Sequence, residues 1–138
     1  MQTILTQIAE HRALTREDAA RAMSLMLKGE ASPEQIAAFL LGLRSRGETL
    51  EELIGLTESM RKFAVPVSAP AHAVDIVGTG GDRSGSFNIS TTTALVCAGA
   101  GAVVAKHGNR SVSSKCGSAD VLELLGVKTE LGKEGVEY

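Results

Sequence analysis

Up to Phe63 the apolar residues recur three and four positions apart, and beyond Pro66 they collect into short runs separated by glycine-rich loops. The first pattern predicts amphipathic helices. Ile4, Leu5 and Ile8 share one face, as do Ala19, Ala22, Met23 and Met26, then Ile36, Phe39, Leu40 and Leu43, then Leu50, Leu53, Ile54 and Met60. Three of the four helix starts carry a capping signature, with Thr15 followed by Asp18, Ser32-Pro33 followed by Gln35, and Thr49 followed by Glu52. In each, a hydroxyl can accept an orphan backbone N–H of the first turn, and the residue three positions on can reach back. Residues 1–64 are therefore expected to form a small lobe of about four helices. Such a lobe has more apolar face than it can bury alone. The surplus is expected to meet either the second lobe or a second copy of the chain.

Val65-Pro66-Val67-Ser68-Ala69-Pro70-Ala71 ends the helical pattern. Its prolines hold the chain extended and mark 65–73 as a linker or hinge. From 74 to 138 the pattern becomes strand, helix, strand, helix. Val74–Val77 and Ala102–Ala105 read as strands. A helix runs from Ser90 to about Ala98, closed by Gly99 and Gly101, and Ser118 caps another that ends at Gly126. Alternation of this kind predicts a parallel α/β sheet, whose ligands bind beyond the carboxyl ends of the strands. The loops 78–88 and 106–117 follow strands and belong on that edge. The fold class expected is thus α/β: a small N-terminal all-α lobe followed by the start of a parallel α/β domain.

Charge sharpens this division. The net charge of −2 hides three zones: −3 over 1–82, +4 over 83–119 and −3 over 120–138. The 37 residues of the middle zone hold no acid, so the expected partner is a small anion rather than a polyanion. Aromatic residues make up only 3% of the chain, which argues against base stacking on single-stranded nucleic acid. No apolar run reaches the roughly 18 residues of a membrane span, and the start lacks the layout of a signal peptide. A soluble, cytoplasmic protein is expected. Cys97 and Cys116 allow one bridge at most and read as free thiols, with Cys97 in the core.

Four glycines within positions 78–85 let backbone N–H groups approach a ligand unobstructed. The spacing is neither a P-loop nor the dinucleotide fingerprint. Asn88-Ile89-Ser90-Thr91 then places an amide and two hydroxyls at a helix start, where the free N–H groups and the dipole favour an anion, although Ser90 could serve simply as the cap. Lys106-His107-Gly108-Asn109-Arg110-Ser111-Val112-Ser113-Ser114-Lys115 gathers three cations, an imidazole, an amide and three hydroxyls with no acid among them. His107 reads as a donor or positioning group in an anion site. No third group orients a Cys116–His107 pair for nucleophilic catalysis. Asp82 could receive a substrate hydroxyl, hold its loop as an Asx turn, or pair with Lys106.

Taken in order, Asp75-Ile76-Val77-Gly78-Thr79-Gly80-Gly81-Asp82, Asn88-Ile89-Ser90-Thr91 and the 106–115 segment closely resemble the anthranilate phosphoribosyltransferase family of tryptophan biosynthesis. The likeness runs over essentially the whole chain. It implies transfer of phosphoribose from 5-phosphoribosyl 1-pyrophosphate to the amino group of anthranilate, with Mg²⁺ as cofactor and release of pyrophosphate. By the same resemblance, Gly78, Gly81, Asp82 and Ser86 touch the phosphoribosyl donor, and Asn88, Ile89, Ser90 and Thr91 hold pyrophosphate, with Ser90 at a magnesium ion. Lys106, His107, Gly108, Asn109, Arg110, Ser111, Val112, Ser113, Ser114 and Ser118 line the donor, while Gly78 and Asn109 lie near anthranilate. The resemblance further implies a homodimer through the helical lobe, and no protein nucleophile or base. The family's chain continues for roughly another domain, with an Asp-Glu pair for a second magnesium and an Arg facing the anthranilate carboxylate. A chain stopping at Tyr138 lacks both, and it is expected to be a fragment that is inactive alone. The alternatives are a pyrimidine nucleoside phosphorylase, whose loop differs from Lys106-His107-Gly108-Asn109-Arg110, and a non-catalytic dimerising or phosphate-binding module.

Overall fold

The computed structural model describes residues 1–78, 87–110 and 117–137. They fall into two compact units, Met1–Val65 and a second that begins at Pro66.

The first unit holds α1 (Gln2–Ala9), α2 (Arg16–Leu27), α3 (Pro33–Arg46) and α4 (Leu50–Phe63). Its three capping signatures are formed. Thr15 accepts from the Asp18 amide, and Ser32 with Gln35 and Thr49 with Glu52 make reciprocal boxes. Gly47 ends α3 at φ 88°, a left-handed turn that glycine adopts without penalty. The core is Ile4, Ile8, Leu14, Ala22, Phe39 and Leu43, with Leu5, Met26 and Leu56 packed on it. Phe39 thus belongs to the interior of this lobe.

Helix α4 departs from the apolar pattern. Leu50, Leu53 and Met60 are exposed, while Glu52, Gly55 and Ser59 are buried. The cause is the close approach of α2. A Cβ on Gly55 would lie 2.1 Å from the carbonyl oxygen of Arg16, so the face of α4 turned to α2 admits only small groups. Leucine cannot fit there. The carboxylate of Glu52 fills the end of this seam with no solvent exposure. It accepts from the Leu14 amide at 2.8 Å, from the Thr49 amide at 2.8 Å, from the Thr49 hydroxyl at 2.9 Å, and from the Arg46 guanidinium. Burial alone would raise its pKa. The Arg46 guanidinium, the Leu14 and Thr49 amides and the Thr49 hydroxyl outweigh burial and hold it at about 2, below the usual 4.5.

The second unit holds α5 (Ile89–Gly99), α6 (Ser118–Leu124) and α7 (Lys133–Glu137). The two expected strands reduce to one parallel bridge between Val74 and Val104, closed by Val74 N–H to Val103 O at 2.9 Å and Ala105 N–H to Val74 O at 3.1 Å. The direction is the one a helical crossover requires. The extent is shorter because Val74, Val77 and Val103 stay exposed, and a pair with no further strand beside it among the described residues gains too little burial to lengthen. Asn88, not Ser90, is the N-cap of α5, and Gly117, not Ser118, is that of α6. Helix α6 ends at Leu124, just before the left-handed Gly126. Cys97 is half-buried on α5 rather than in a core, and its thiol is free. Cys116 lies outside the described residues.

Two outcomes test this packing. Glu52→Gln should destabilise the helical unit by about 3 kcal/mol, because it leaves the Arg46 charge buried without its partner. In the parent, the stability supplied by Glu52 is complete above pH 4.5 and is lost as pH falls through about 2, and the variant should lack that acid limb in urea titrations. Gly55→Ala should cost about 2 kcal/mol despite the better helix propensity of alanine, since α2 must retreat from α4. Unchanged thermal stability would refute the close approach.

Candidate functional site

The Val74–Val104 bridge sets the site. It lays 75–78 beside 105–110, and side chains from each segment then pin the other. Lys106 Nζ donates to Ile76 O at 2.8 Å and to His107 O at 3.3 Å, and Asp75 Oδ1 accepts from the His107 amide at 3.1 Å. At the end of the first segment, Gly78 abuts the start of α5, where a Cβ would stand 3.5 Å from Ser90 Oγ. The second segment runs to α6. There the Asn109 carbonyl accepts from the Ala119 amide and from Ser118 Oγ, both at 3.2 Å. Gly108 passes so near that a Cβ would meet Ser118 Oγ at 2.6 Å. Asn88 Nδ2 reaches Gly117 O at 3.5 Å, joining the starts of α5 and α6.

Gly78, Asn88, Ile89, Ser90, Lys106, His107, Gly108, Asn109 and Ser118 are thus gathered on one edge of the second unit, and Thr91, in the first turn of α5, is buried. Gly81, Asp82, Ser86, Ser111, Val112, Ser113, Ser114 and Lys115 lie outside the described residues. The Asn88 side chain makes no cap hydrogen bond to α5, and Gly78 lies against that first turn, where the leading N–H groups and the dipole favour an anion. Helix α6 differs, since Asp120 Oδ2 takes the Gly117 amide at 2.7 Å.

The expectation of cations with no acid to neutralise them needs correction at Arg110. Its guanidinium meets Glu123 through two parallel bonds of 3.0 and 2.7 Å, and Asp120 at 3.3 Å. These acids stand just past the acid-free zone. A linear reading of charge did not join them to Arg110, although their spacing of three on a helix places them on one face. Asp75 was missed for a similar reason: nothing in its own stretch of sequence points to the amide of His107.

For a divalent cation, Ser90 offers one neutral hydroxyl oxygen. Among the described residues no three of His, Cys, Asp or Glu converge. Mg²⁺ is commonly held by few protein oxygens and completed by substrate phosphates and water. Ser90 therefore fits as one ligand of an ion that phosphate brings, and these residues do not form a resident metal cage.

Comparison with known proteins settles the family. Residues 2–64 match the helical bundle domain of a glycosyl transferase family, and residues 70–138 match the a/b domain of that family. The chain belongs to this glycosyl transferase family. Among curated members, the anthranilate phosphoribosyltransferase of Salinibacter ruber is 58% identical over 139 residues, which cover 100% of this chain and 40% of that protein. That of Rhodopseudomonas palustris is 53% identical over 98% of this chain and 40% of its own length. The crystal structure of anthranilate phosphoribosyltransferase from Thermus thermophilus superposes with a TM-score of 0.79 at 41% identity, over 97% of this chain and 42% of that one. The chain therefore spans about two fifths of the length of these glycosyl transferase relatives. It has the family's helical bundle and the beginning of its α/β domain. No helix among the described residues is long and apolar enough to cross a membrane.

Proposed function

We propose that this chain provides the phosphoribosyl-donor-binding part of an anthranilate phosphoribosyltransferase, which transfers phosphoribose from 5-phosphoribosyl 1-pyrophosphate to anthranilate and releases pyrophosphate. The observation that carries the reading is the 58% identity to a protein of that name over the whole chain. The edge geometry supports it. Breaking the bond between ribose C1 and pyrophosphate builds negative charge on the leaving group, and groups already aimed at that charge accelerate the step. The uncapped start of α5 beside Gly78 supplies such N–H groups. Lys106 spends two of its three ammonium protons on carbonyl oxygens, and the third serves a phosphate oxygen. Asn109 projects its amide toward anthranilate. Mg²⁺, bound with Ser90 as one ligand, would supply further neutralisation of the leaving pyrophosphate.

In the same reading, the helical unit dimerises. Leu40, Leu41, Leu50, Leu53, Met60 and Phe63 are exposed on α3 and α4, and a monomer rarely leaves so many large apolar side chains in water.

Titration calorimetry of the chain with phosphoribosyl pyrophosphate, inorganic phosphate and thymidine tests the donor assignment. The donor should bind measurably and thymidine should not. Lys106→Ala should weaken donor binding by about 1.5–3 kcal/mol, the worth of a charge-assisted hydrogen bond. A preference for thymidine with phosphate would indicate a nucleoside phosphorylase instead, and absence of binding by any of the three would reduce the chain to a non-catalytic module. For the dimer, sedimentation at tens of micromolar should give twice the chain mass, and a clean monomer would refute it.

A further inference from the structure

We infer that Glu123 is a positioning residue of the donor site. It clamps Arg110, and through Arg110 it holds the 106–110 segment against α6. Arg110 acts here as a tether and not as a phosphate ligand. The inference rests on the reading of 106–110 as donor-binding.

The geometry is that of a planar fork on a carboxylate. Arg110 Nη1 and Nη2 donate to Glu123 Oε2 and Oε1 at 3.0 and 2.7 Å. Exposed ion pairs usually contribute little, and the exceptions are bidentate arginine pairs and networks. This one is both. Thr129 Oγ1 donates at 2.5 Å to Glu123 Oε1, the same oxygen that accepts from Arg110 Nη2, and so holds the carboxylate a second time. Asp120 takes Arg110 Nη1 through Oδ1 while its Oδ2 holds the Gly117 amide at the start of α6. Glu130 adds a longer contact of 3.8 Å. The Thr129 hydroxyl first, and Arg110 next, lower the pKa of Glu123.

The guanidinium is therefore spent on three acids of its own chain. One residue earlier, the Asn109 carbonyl is seated on Ser118 and Ala119 of the same helix. Two consecutive residues are fastened to α6, one by main chain and one by side chain. That fastening determines where Lys106, His107 and Gly108 stand relative to the start of α5. A phosphate ligand would need its charge unspent, and a tether needs it spent as it is here.

The test uses the full chain with Arg110→Gln, Glu123→Gln, the double variant, and the charge swap Arg110→Glu with Glu123→Arg. Hydrogen exchange of the 105–110 amides is measured without ligand, followed by affinity for phosphoribosyl pyrophosphate. Each single variant should speed exchange about tenfold and weaken donor affinity by a similar factor. The double variant should do no more than either single one, because both remove one interaction. The swap should recover most of both losses, whereas a direct phosphate contact could not survive a carboxylate at position 110. Exchange unchanged in Glu123→Gln, or a swap that binds donor worse than either single variant, would overturn the clamp. Thr129→Val, which loosens Glu123 without removing a charge, should give a smaller shift in the same direction and serves if the charge variants fail to fold. If the parent chain binds no donor, the donor-binding reading falls, and the exchange rates still decide whether the clamp exists.

Discussion

A carboxylate with no solvent exposure organises the helical unit. Glu52 joins the approach to α2 through Leu14, the end of α3 through Arg46, and the start of α4 through Thr49. Removing a charge from water costs several kcal/mol, and only a full set of partners offsets it. The partners here are also well placed electrostatically. An acid in the first turn of α4 and a cation in the last turn of α3 each oppose the dipole of their own helix. The same tight seam turns Leu50, Leu53 and Met60 outward. A polar anchor inside and an apolar face outside are two results of one helix spacing.

What could be read in the sequence was what local chemistry decides. Caps at Thr15, Ser32 and Thr49 depend on residues three apart, and they formed as read. The inward face of α4 could not be read that way, since periodicity assigns leucine to the interior and cannot know that α2 comes within reach of the Gly55 backbone. The parallel pairing of the Val74 and Val104 segments followed from the helix between them, but its length depends on neighbouring strands.

The candidate site divides similarly. The motif residues were legible as a group because glycine, hydroxyl and cationic residues are concentrated there. Their mutual arrangement was not. Ser118 read as a helix cap, and Ser90 as an anion-site hydroxyl or a cap, yet Ser90 stands within the first turn beside Gly78 and Ser118 gives its hydroxyl to Asn109. Charge was the least readable quantity. An acid-free stretch of sequence became a partly neutralised one in space, because α6 delivers Asp120 and Glu123 to Arg110.

The Val74–Val104 bridge makes alignment of the two ligand-facing segments a question of register. In a long ladder, many hydrogen bonds fix which residue lies opposite which; here two backbone bonds do so. Side chains alternate in direction along extended chain, so a slip of one residue would carry Lys106 away from Ile76 and bring His107 in its place. The bonds from Lys106 to Ile76 O and from the His107 amide to Asp75 work like the wards of a lock. One needs an ammonium at 106 and the other a carboxylate at 75, and neither can close with the segments a step out of phase. A very short pairing thereby gains, from side chains, the fidelity that a longer sheet takes from its backbone.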